Sequence, residues 1–384
     1  MKERLSKVVR EIKPSGIRKF FDLVMNTPDI VSLGVGEPDF STPWGISEYA
    51  IHKIEKGFTS YTSNYGLTDL RDAICEYLNN RFHCSYKREN VLVTVGSSEA
   101  LDIVLRGLIN PGDEIIILEP CFVSYYPLIK LAYGTPVVVP LDPQRKFHPD
   151  FKALNNKITK KTKAIIVSYP NNPTGSSLKK EELEKLIDIA IKNDLYIISD
   201  ELYAELTYDG EYISFGSFKK IKSRLMLISG LSKAWAMTGW RIGYVCAPSE
   251  IIEMIVKIHQ YSIMCAPVMA QFAAIEALKN GNRDKDEMVE EYNTRRKFIY
   301  KGLKDIGFDV NLPEGAFYIF PSIKETGMKS ERFCLKLLAK EKVAVVPGTA
   351  FGDYGEGYIR CSYASSFEEI EIALDHINKF YKNL

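Results

Sequence analysis

Residues 164–200 read AIIVSYPNNPTGSSLKKEELEKLIDIAIKNDLYIISD and contain the pattern that decides the fold. Two apolar runs, Ala164–Ser168 and Leu195–Ser199, lack polar alternation, which is typical of strands covered on both faces of a sheet. Between them, Leu178–Asn193 has helical periodicity and follows Ser177, a residue type that caps helices. The apolar stripe of this segment comprises Leu183, Leu186, Ile187, Ala190 and Ile191. The stretch therefore predicts two parallel strands connected by a helix.

The same alternation of short apolar runs and amphipathic segments extends through the middle of the chain. The other predicted strands are Val91–Val95, Glu114–Leu118, Pro136–Val139, Leu225–Ile228 and Gly243–Cys246. Together with the two strands above, they predict an α/β fold around a mostly parallel, doubly wound, seven-stranded sheet. We expect residues 46–285 to form this large domain.

The two ends of the chain have a different pattern. The stretch Val31–Trp44 is irregular and rich in glycine and proline. After a long charged helical run, short predicted strands follow at Ala316–Phe320, Val343–Val346 and Tyr358–Ser362. The closing helix has a capping box, in which Glu369 lies three residues beyond Ser366. We expect residues 1–45 and 286–384 to form together a smaller α+β domain.

Composition and charge exclude several classes of protein. The 384 residues include 50 basic and 49 acidic ones, so a formal charge of +1 gives no net field for nucleic acid or an anionic membrane. The most apolar central run, Ile115–Ile129, contains Glu119 and two prolines and is not a spanning helix. Seven scattered cysteines without a C-x-x-C pair argue against a disulfide framework and a zinc site. No apolar signal segment follows the basic start, so we expect a cytoplasmic protein.

Polar residues follow several predicted strands, at the sheet edge where open α/β proteins bind ligands. Asp200 ends an apolar strand and needs a cationic or hydrogen-bonding partner, and Tyr203 lies in the same turn. The loop Asn171–Gly175 follows another strand, although its residue types also suit a rigid turn. Ser97 and Ser98 open a helix, whose free backbone amides favour an anion such as phosphate. Small residues cap many helices, so this last signal is weak alone.

Lys233 lies in a turn between two predicted buried strands and is flanked by small and aromatic residues. Desolvation and nearby cations lower the pKa of a lysine, and a neutral amine can attack a carbonyl. Arg241 follows in the same segment and can offer a planar fork to a phosphate. The pair alone is also compatible with ordinary surface charge. No Walker sequence and no G-x-G-x-x-G motif is present, so a nucleotide site lacks its signature.

Several segments, in this order, resemble the signatures of the class I/II aminotransferases, which are pyridoxal-phosphate enzymes of fold type I. The matching segments are Val31–Phe40, Asn171–Gly175, Asp200-x-x-Tyr203, Lys233–Gly243, Gly315–Pro321 and Val343–Gly348. The resemblance covers nearly the whole chain, and it is especially close to the archaeal and bacterial aspartate and aromatic aminotransferases. It implies the fold type I architecture and pyridoxal 5′-phosphate as the cofactor.

The resemblance also implies what the matching residues do. Lys233 would hold the cofactor as a Schiff base and, once displaced, would shuttle a proton as general base and acid. Asp200 would pair with the pyridine nitrogen and make the ring an electron sink. The other expected cofactor contacts are Tyr203 and Asn172 at the phenolic oxygen, Phe122 stacked on the ring, and Ser97, Ser98, Ser232 and Arg241 at the phosphate. Family members often have a serine three residues before the lysine, where this chain has Gly230.

For the substrate, the resemblance implies that Arg360 grips the α-carboxylate, with help from the Gly36 amide and from Asn172. Taken alone, an arginine in a strand is also compatible with a solvent-facing charge. Both Gly36 and Arg360 fall in the smaller domain, so domain closure would complete the site. Tyr61 matches a tyrosine that reaches the phosphate of the neighbouring subunit, which implies a homodimer with shared active sites.

The reaction implied is ping-pong transfer of an amino group from aspartate or an aromatic amino acid to a 2-oxo acid such as 2-oxoglutarate. A C–S β-lyase or a cyclopropane-forming synthase uses the same residue set and is an alternative. A transcription regulator of this fold needs a DNA-binding module, for which the region before Val31 is too short. The resemblance implies a side-chain pocket built from residues 12–20, 61–66 and 259–266 and partly from the partner subunit. Its candidates are Tyr65, His259 and Tyr261, each equally compatible with ordinary packing. No second arginine dictates a dicarboxylate, so the sequence leaves the amino donor open.

Overall fold

The computed structural model describes residues 2–14, 16 and 29–384. The predicted pocket loop near residues 12–20 lies largely outside the described residues. The strands are β1 (Val31–Ser32), β2 (Val91–Thr94), β3 (Glu114–Glu119), β4 (Thr135–Asp142), β5 (His148–Pro149), β6 (Thr162–Ser168), β7 (Tyr196–Asp200), β8 (Leu225–Gly230), β9 (Gly243–Cys246), β10 (Tyr318–Ile319), β11 (Val343–Ala344), β12 (Val346–Pro347) and β13 (Ile359–Ser362). The helices are α1 (Lys7–Glu11), α2 (Trp44–Glu55), α3 (Thr68–Phe82), α4 (Gly96–Leu108), α5 (Tyr125–Leu131), α6 (Phe151–Lys157), α7 (Lys180–Lys192), α8 (Ser249–Ser262), α9 (Val268–Asn280), α10 (Asn282–Ile306), α11 (Ser330–Glu341) and α12 (Phe367–Lys382).

Strands β2 to β9 form an 8-stranded sheet in the order β2-β9-β8-β7-β6-β3-β4-β5. The mostly parallel arrangement is confirmed, because β8, β7, β6, β3 and β4 pair in parallel. Strand β9 runs antiparallel to both β2 and β8, and β5 runs antiparallel to β4. The predicted sheet is one strand short, because β5 consists only of His148 and Pro149 and has no apolar run that would indicate it.

The sheet is covered on both faces, as its continuous apolar strands predict. On β6, Ile165 and Val167 belong to one buried cluster, and Ala164 and Ile166 to another. Because successive residues of a strand point to opposite faces, these clusters are two cores separated by the sheet. The first core includes residues of α3, α7 and α9, and the second includes residues of α4, α5 and α8. Each fully buried leucine or isoleucine contributes roughly 1.5–3 kcal/mol of hydrophobic free energy.

Helix α7 differs from its prediction in two details. Its buried apolar residues are Leu183, Leu186, Ile187 and Ala190. Ile191 is 41% exposed, because helical geometry puts it roughly 80° from Leu183, at the edge of the stripe. The helix begins at Lys180 rather than directly after Ser177. The Ser177 amide donates instead to Glu314 Oε2 at 2.9 Å, a contact with a distant part of the chain.

Strands from the two ends of the chain pair with each other. Strand β1 lies parallel to β11, and a second small sheet has the order β10-β13-β12. The predicted strand Ala316–Phe320 is shortened to β10, because Ala316 has a φ of 58°, which is incompatible with a strand. The capping box of α12 is confirmed, since the Glu369 amide donates to Ser366 Oγ at 3.2 Å and the Ser366 amide donates to Glu369 Oε2 at 3.1 Å.

In the described parts of the chain, no helix is both long and apolar enough to cross a membrane. The same residues contain no group of three or more histidine, cysteine or acidic side chains placed to hold a metal ion. The cysteines are all free, and Cys265 alone is not fully buried. The two apolar cores therefore stabilise the fold without covalent cross-links.

Candidate active site

A cavity of about 810 Å³ opens at the edge of the sheet where β6 and β7 end. Its position agrees with the general rule that ligands bind beyond the carboxyl ends of parallel strands. Of the predicted site residues, those that line it are Gly36, Ser97, Ser98, Phe122, Asn172, Asp200, Tyr203, Ser232, Lys233, Arg241 and Arg360. The cavity thus brings together residues from both ends of the chain and from the central sheet.

The first turn of α4 and Arg241 form one polar end of the cavity. Helix α4 begins at Gly96, so the amides of Ser97 and Ser98 have no partner within the helix and are available to an anion. Gly96 has a φ of 72°, and a Cβ there would come 2.7 Å from an Arg241 guanidinium nitrogen. A Cβ on Gly243 would come 2.5 Å from the Ser97 amide nitrogen. The absence of both side chains keeps the amides and the guanidinium accessible.

The structure also explains the departure at Gly230. A Cβ there would come 2.7 Å from Ser97 Oγ, which donates to the Ser229 carbonyl at 3.0 Å. Ser97 thus occupies the space that a side chain at residue 230 would need. Ser232 is buried and lines the cavity, so a hydroxyl is present two residues further along.

Lys233 lies in the middle of the cavity wall, in the loop between β8 and β9. Its Nζ donates to the Gly36 carbonyl at 2.6 Å. Burial lowers the pKa of Lys233 to about 8, and the negative charge of Glu37 only partly opposes the shift. The cations Arg360 and Arg241 add to the lowering. A sizeable fraction of Lys233 is therefore neutral near pH 8, which suits a nucleophile or a proton acceptor.

Asp200 ends β7 and lines the cavity, and each of its carboxylate oxygens accepts one hydrogen bond. Tyr125 donates to Asp200 Oδ2 at 2.7 Å, and the Leu202 amide donates to Oδ1 at 3.2 Å. Burial raises the pKa of Asp200, although both hydrogen bonds and the charge of Lys233 oppose the shift. The sequence does not single out Tyr125, and its only signal is its place three residues after Phe122. A cationic ligand group opposite Asp200 would stabilise the carboxylate.

Arg360 on β13 is 1% exposed and is oriented by contacts on all sides. Nη1 donates to Asn172 Oδ1 at 3.0 Å, and Nη2 donates to the Gly34 carbonyl at 2.8 Å. Its guanidinium lies 4.2 Å from the ring centroid of Tyr318 and 4.8 Å from that of Phe351. Nε is buried and has no partner within the described residues. A buried arginine with an unpaired donor beside a cavity is suited to bind a carboxylate.

The aromatic side chains differ in how well the sequence identifies them. Tyr203 is buried, and its hydroxyl lies 2.8 Å from that of Tyr318. Burial raises the pKa of Tyr203 well above its usual value, so the phenol is protonated. Tyr318 also lines the cavity, but the sequence assigns it no role. Phe122 lies on the cavity wall as predicted, edge-on to Tyr125 with ring centroids 5.7 Å apart.

Four other candidates lie away from the cavity of the single chain. His259 is fully buried, with Nδ1 2.6 Å from Glu99 Oε1. Tyr65 stacks on the Arg71 guanidinium, and Tyr261 is 88% exposed. The three therefore do not line a substrate pocket here, because packing or solvent takes up their side chains. Tyr61, the predicted contact to a neighbouring subunit, is 82% exposed.

Comparison with known proteins identifies the family. Residues 28–377 match the family model described as aminotransferase class I and II. A putative aminotransferase, YugH, from Bacillus subtilis (strain 168) is 52% identical over 381 residues, which cover 99% of both chains. The aspartate aminotransferase of Pyrococcus abyssi is 44% identical and covers 96% of each chain. The crystal structure of the aromatic aminotransferase from Pyrococcus horikoshii superposes with a TM-score of 0.91 at 40% identity, over 96% of this chain and 99% of that one.

These relatives are aminotransferases, and none of them supports the lyase alternative. Their matches extend over nearly the whole chain, so they include both the sheet and the segments that surround the cavity. The expected fold type I architecture and cofactor agree with them. The chain therefore belongs to the class I and II aminotransferases, enzymes that use pyridoxal phosphate to move amino groups between small amino and oxo acids.

Proposed function

We propose that this enzyme takes the amino group from aspartate or an aromatic L-amino acid and passes it to a 2-oxo acid such as 2-oxoglutarate, in a ping-pong sequence. The observation that carries the proposal is Lys233, whose amine has a pKa lowered to about 8 and which lines the same cavity as Arg241 and the buried Arg360. The names of two relatives, one an aspartate and one an aromatic aminotransferase, support the choice of donors.

The cavity residues fit pyridoxal phosphate in the chemistry of their donor groups. The phosphate would lie at the amides of Ser97 and Ser98, with Arg241 and the Ser232 hydroxyl. The missing Cβ atoms at Gly96 and Gly243 support this assignment, because a side chain at either residue would fill the cradle. When bound, the cofactor supplies a cationic ring that accepts electron density from the substrate.

The remaining cofactor contacts follow from the charge and hydrogen bonding of the wall. Asp200 would pair with the pyridine nitrogen, because a cation there offsets the burial that raises the pKa of this carboxyl. Tyr203 and Asn172 would donate to the phenolic oxygen, and Phe122 would stack on the ring. The Tyr125 hydroxyl and the Leu202 amide hold the Asp200 carboxylate in place from behind.

We assign the proton transfer to Lys233 Nζ. With a pKa of about 8, the amine can accept a proton from the substrate α-carbon and return it elsewhere without a large energetic cost in either direction. Its present acceptor, the Gly36 carbonyl, belongs to the segment that would bind the substrate carboxylate. The segment that would bind the substrate carboxylate is thus the same one that now holds Lys233 Nζ.

Arg360 would bind the substrate α-carboxylate, with the Gly36 amide and Asn172 beside it. The unpartnered Nε supports this role, since an incoming carboxylate would satisfy it. The contact with Asn172 would couple the arginine to the cofactor site, because the same amide side chain serves both. Removing water from this buried pair strengthens its attraction for a carboxylate.

We also propose that residues 46–285 form the large domain, and that residues 1–45 and 286–384 form the small one. The pairing of β1 with β11 supports the union of the two ends. The proposed boundary at residue 286 falls inside α10, so this helix would connect the two domains. The contacts of Gly36 with Lys233 and of Arg360 with Asn172 join the two proposed domains across the cavity.

A homodimer with shared active sites completes the proposal. Tyr61 and Tyr261 are 82% and 88% exposed, which is unusual for large aromatic side chains and favours an interface. Tyr61 lies in a loop and Tyr261 in the last turn of α8, and the segments that follow them are joined, since Asn64 Nδ2 donates to the Met264 carbonyl at 2.8 Å. Tyr61 would reach the cofactor phosphate of the partner subunit. The cytoplasmic location also stays a prediction, which cell fractionation would test.

The first experiment is an absorption spectrum of the purified enzyme with pyridoxal phosphate. We expect a visible band that moves to the near ultraviolet with aspartate or an aromatic amino acid and returns with 2-oxoglutarate. The rates with a panel of donors would rank the substrates. A band that persists while pyruvate and ammonia accumulate would instead identify a lyase.

Single variants test the residue roles. Lys233→Ala should lower transamination on the order of 10³-fold, because it removes the proton carrier. Asp200→Asn should lower it by about 100-fold or more, since a neutral amide is a poor partner for a cationic ring. Glu201→Gln is the matched control, because Glu201 is a buried acid next to Asp200 that does not line the cavity. Equal losses in the Asp200 and Glu201 variants would contradict the assignment.

A further inference from the structure

Tyr318 has a position that no role assigned so far explains. It is 1% exposed and lies on β10, directly opposite Ser362 of the strand that carries Arg360. Nevertheless it lines the cavity, so part of its side chain faces the ligand space. A buried tyrosine needs a partner for its hydroxyl, and the identity of that partner indicates what the residue does.

The hydroxyl of Tyr318 joins two groups of the active site. It lies 2.8 Å from the Tyr203 hydroxyl and donates to the Gly36 carbonyl at a longer 3.4 Å. The same carbonyl accepts from Lys233 Nζ at 2.6 Å. Lys233, Gly36, Tyr318 and Tyr203 therefore form one continuous chain of hydrogen bonds along the cavity wall.

The ring of Tyr318 has a separate contact. The Arg360 guanidinium lies 4.2 Å from its centroid, within the range of a strong cation–π interaction. Phe351 lies on Arg360 as well, with 4.8 Å between guanidinium and centroid. The plane of the guanidinium is thus set by aromatic rings, while Asn172 and the Gly34 carbonyl hold Nη1 and Nη2.

We propose that Tyr318 is a positioning residue that links the arginine for the substrate carboxylate to the tyrosine at the cofactor. Its ring orients Arg360, and its hydroxyl orients Tyr203. The inference rests on the proposed function, in which Arg360 and Tyr203 contact substrate and cofactor. It adds a residue from the C-terminal part of the chain that contacts both groups at once.

The hydroxyl has a defined chemical effect in this arrangement. Tyr203 has one proton, which it must donate to the phenolic oxygen of the cofactor. Its own oxygen then accepts the single proton of Tyr318, so Tyr318 gives up its 3.4 Å contact with the Gly36 carbonyl and keeps the 2.8 Å contact with Tyr203. A phenol that accepts a hydrogen bond is a better donor, because bonds in a chain polarise one another. Tyr318 therefore strengthens the contact that stabilises negative charge on the cofactor oxygen.

Two substitutions separate the two contacts. Tyr318→Phe removes the hydroxyl and keeps the ring against Arg360, whereas Tyr318→Leu removes both. Tyr363→Phe is the matched control, because Tyr363 is equally buried and donates to the Ala316 carbonyl at 2.9 Å without lining the cavity. All are compared as holoenzymes, by pH titration of the visible cofactor band and by titration with the unreactive carboxylates 3-phenylpropionate and succinate.

We expect Tyr318→Phe to raise the midpoint pH of the visible band by about half a unit, with little change in carboxylate affinity. Tyr318→Leu should show the same rise in midpoint pH. It should also weaken by about tenfold the binding of whichever carboxylate, 3-phenylpropionate or succinate, the wild type binds more tightly. Tyr363→Phe should titrate and bind like the wild type.

The result that overturns the hydroxyl link is a Tyr318→Phe enzyme that titrates like the wild type, or a control that shifts equally. Equal carboxylate affinity in the leucine and phenylalanine variants would overturn the ring contact. If the wild type transaminates normally in either case, this inference alone falls. A wild type without a visible band would overturn the proposed function and this inference together.

Discussion

Replacing His148 with glutamine is expected to change how the stability of the protein depends on pH. His148 lies on β5 with 8% of its side chain exposed, and Nδ1 is 2.8 Å from Glu182 Oε2 on α7. Nε2 is 3.7 Å from Glu314 Oε2, in the segment that leads to Tyr318. One buried imidazolium thus connects the sheet edge, a covering helix and the wall of the active site.

The size of the effect follows from the pKa of His148. Burial opposes its charged form, but the hydrogen bond to Glu182 and the charges of Glu182 and Glu314 prevail and raise the pKa from 6.5 to about 9. At about 1.4 kcal/mol per pH unit, this difference corresponds to about 3 kcal/mol of unfolding free energy. Because the folded pKa is raised, the contribution is fully present below pH 6.5 and is lost as pH rises through 9.

At acid pH, the two glutamates make stability depend on pH in the opposite direction. Burial is the largest single influence on the pKa of Glu182 and Glu314 and raises it, but the interactions with His148, a backbone amide and a neighbouring cation together prevail and lower both pKa values below 4.5. Their contribution is therefore present above pH 4.5 and decreases as pH falls through the folded pKa. The triad is consequently most stabilising between pH 4.5 and 6.5.

The assay is urea unfolding of the holoenzyme at fixed protein concentration, followed by circular dichroism between pH 6 and pH 10. Between pH 6 and pH 10, the unfolding free energy of the wild type should fall by about 3 kcal/mol more than that of His148→Gln. This holds whatever the difference in stability between the two proteins at pH 6. His52→Gln is the control, because His52 is 54% exposed in its pair with Glu55 and an exposed pair contributes little. Parallel pH profiles for wild type and His148→Gln would refute the reasoning.

Three further substitutions have expected outcomes. Arg360→Lys should raise the KM of both amino donor and oxo acid by about tenfold or more in steady-state kinetics, because a lysine cannot offer the bidentate fork. Glu99→Ala should weaken cofactor binding to the apoenzyme by about fivefold in a fluorescence titration, since Glu99 Oε2 accepts from the Val95 amide at 2.5 Å at the start of the helix proposed to bind the phosphate. Lys285→Met should lower the free energy of unfolding by about 1.5–3 kcal/mol, because Glu205 loses a charged partner at 2.9 Å while it keeps Arg81 and Tyr77. Unchanged KM values, cofactor affinity or urea midpoint would contradict these expectations in turn.

The sequence predicts most of the sheet because each strand is a local apolar run. It also identifies Asp200 and Lys233 as candidates, since both follow such runs. Strand β5 is not predicted because two residues contain no periodicity. The start of β10 is predicted too early because nothing in the residue type of Ala316 indicates its left-handed conformation.

The missed site residues depend on contacts between distant parts of the chain. Tyr125 meets Asp200 from 75 residues away, and Tyr318 meets Tyr203 from 115 residues away. Nothing near either tyrosine in the sequence indicates its partner. From the sequence, His259 is equally compatible with a pocket and with packing, and the structure has it buried against Glu99. Roles that depend on contacts between distant segments are therefore the hardest to predict from the sequence.

The pairing of β1 with β11 has a consequence for synthesis on the ribosome. Val31 lies opposite Val343, so the two strands are separated by about 310 residues of chain. At roughly 5–20 residues per second, the early strand waits at least about 15 seconds for its partner. The central sheet can form in that interval, whereas the site that would bind the substrate carboxylate cannot. We expect nascent chains released before residue 343 to contain a folded sheet with an exposed amino-terminal segment, which is a natural target for chaperones.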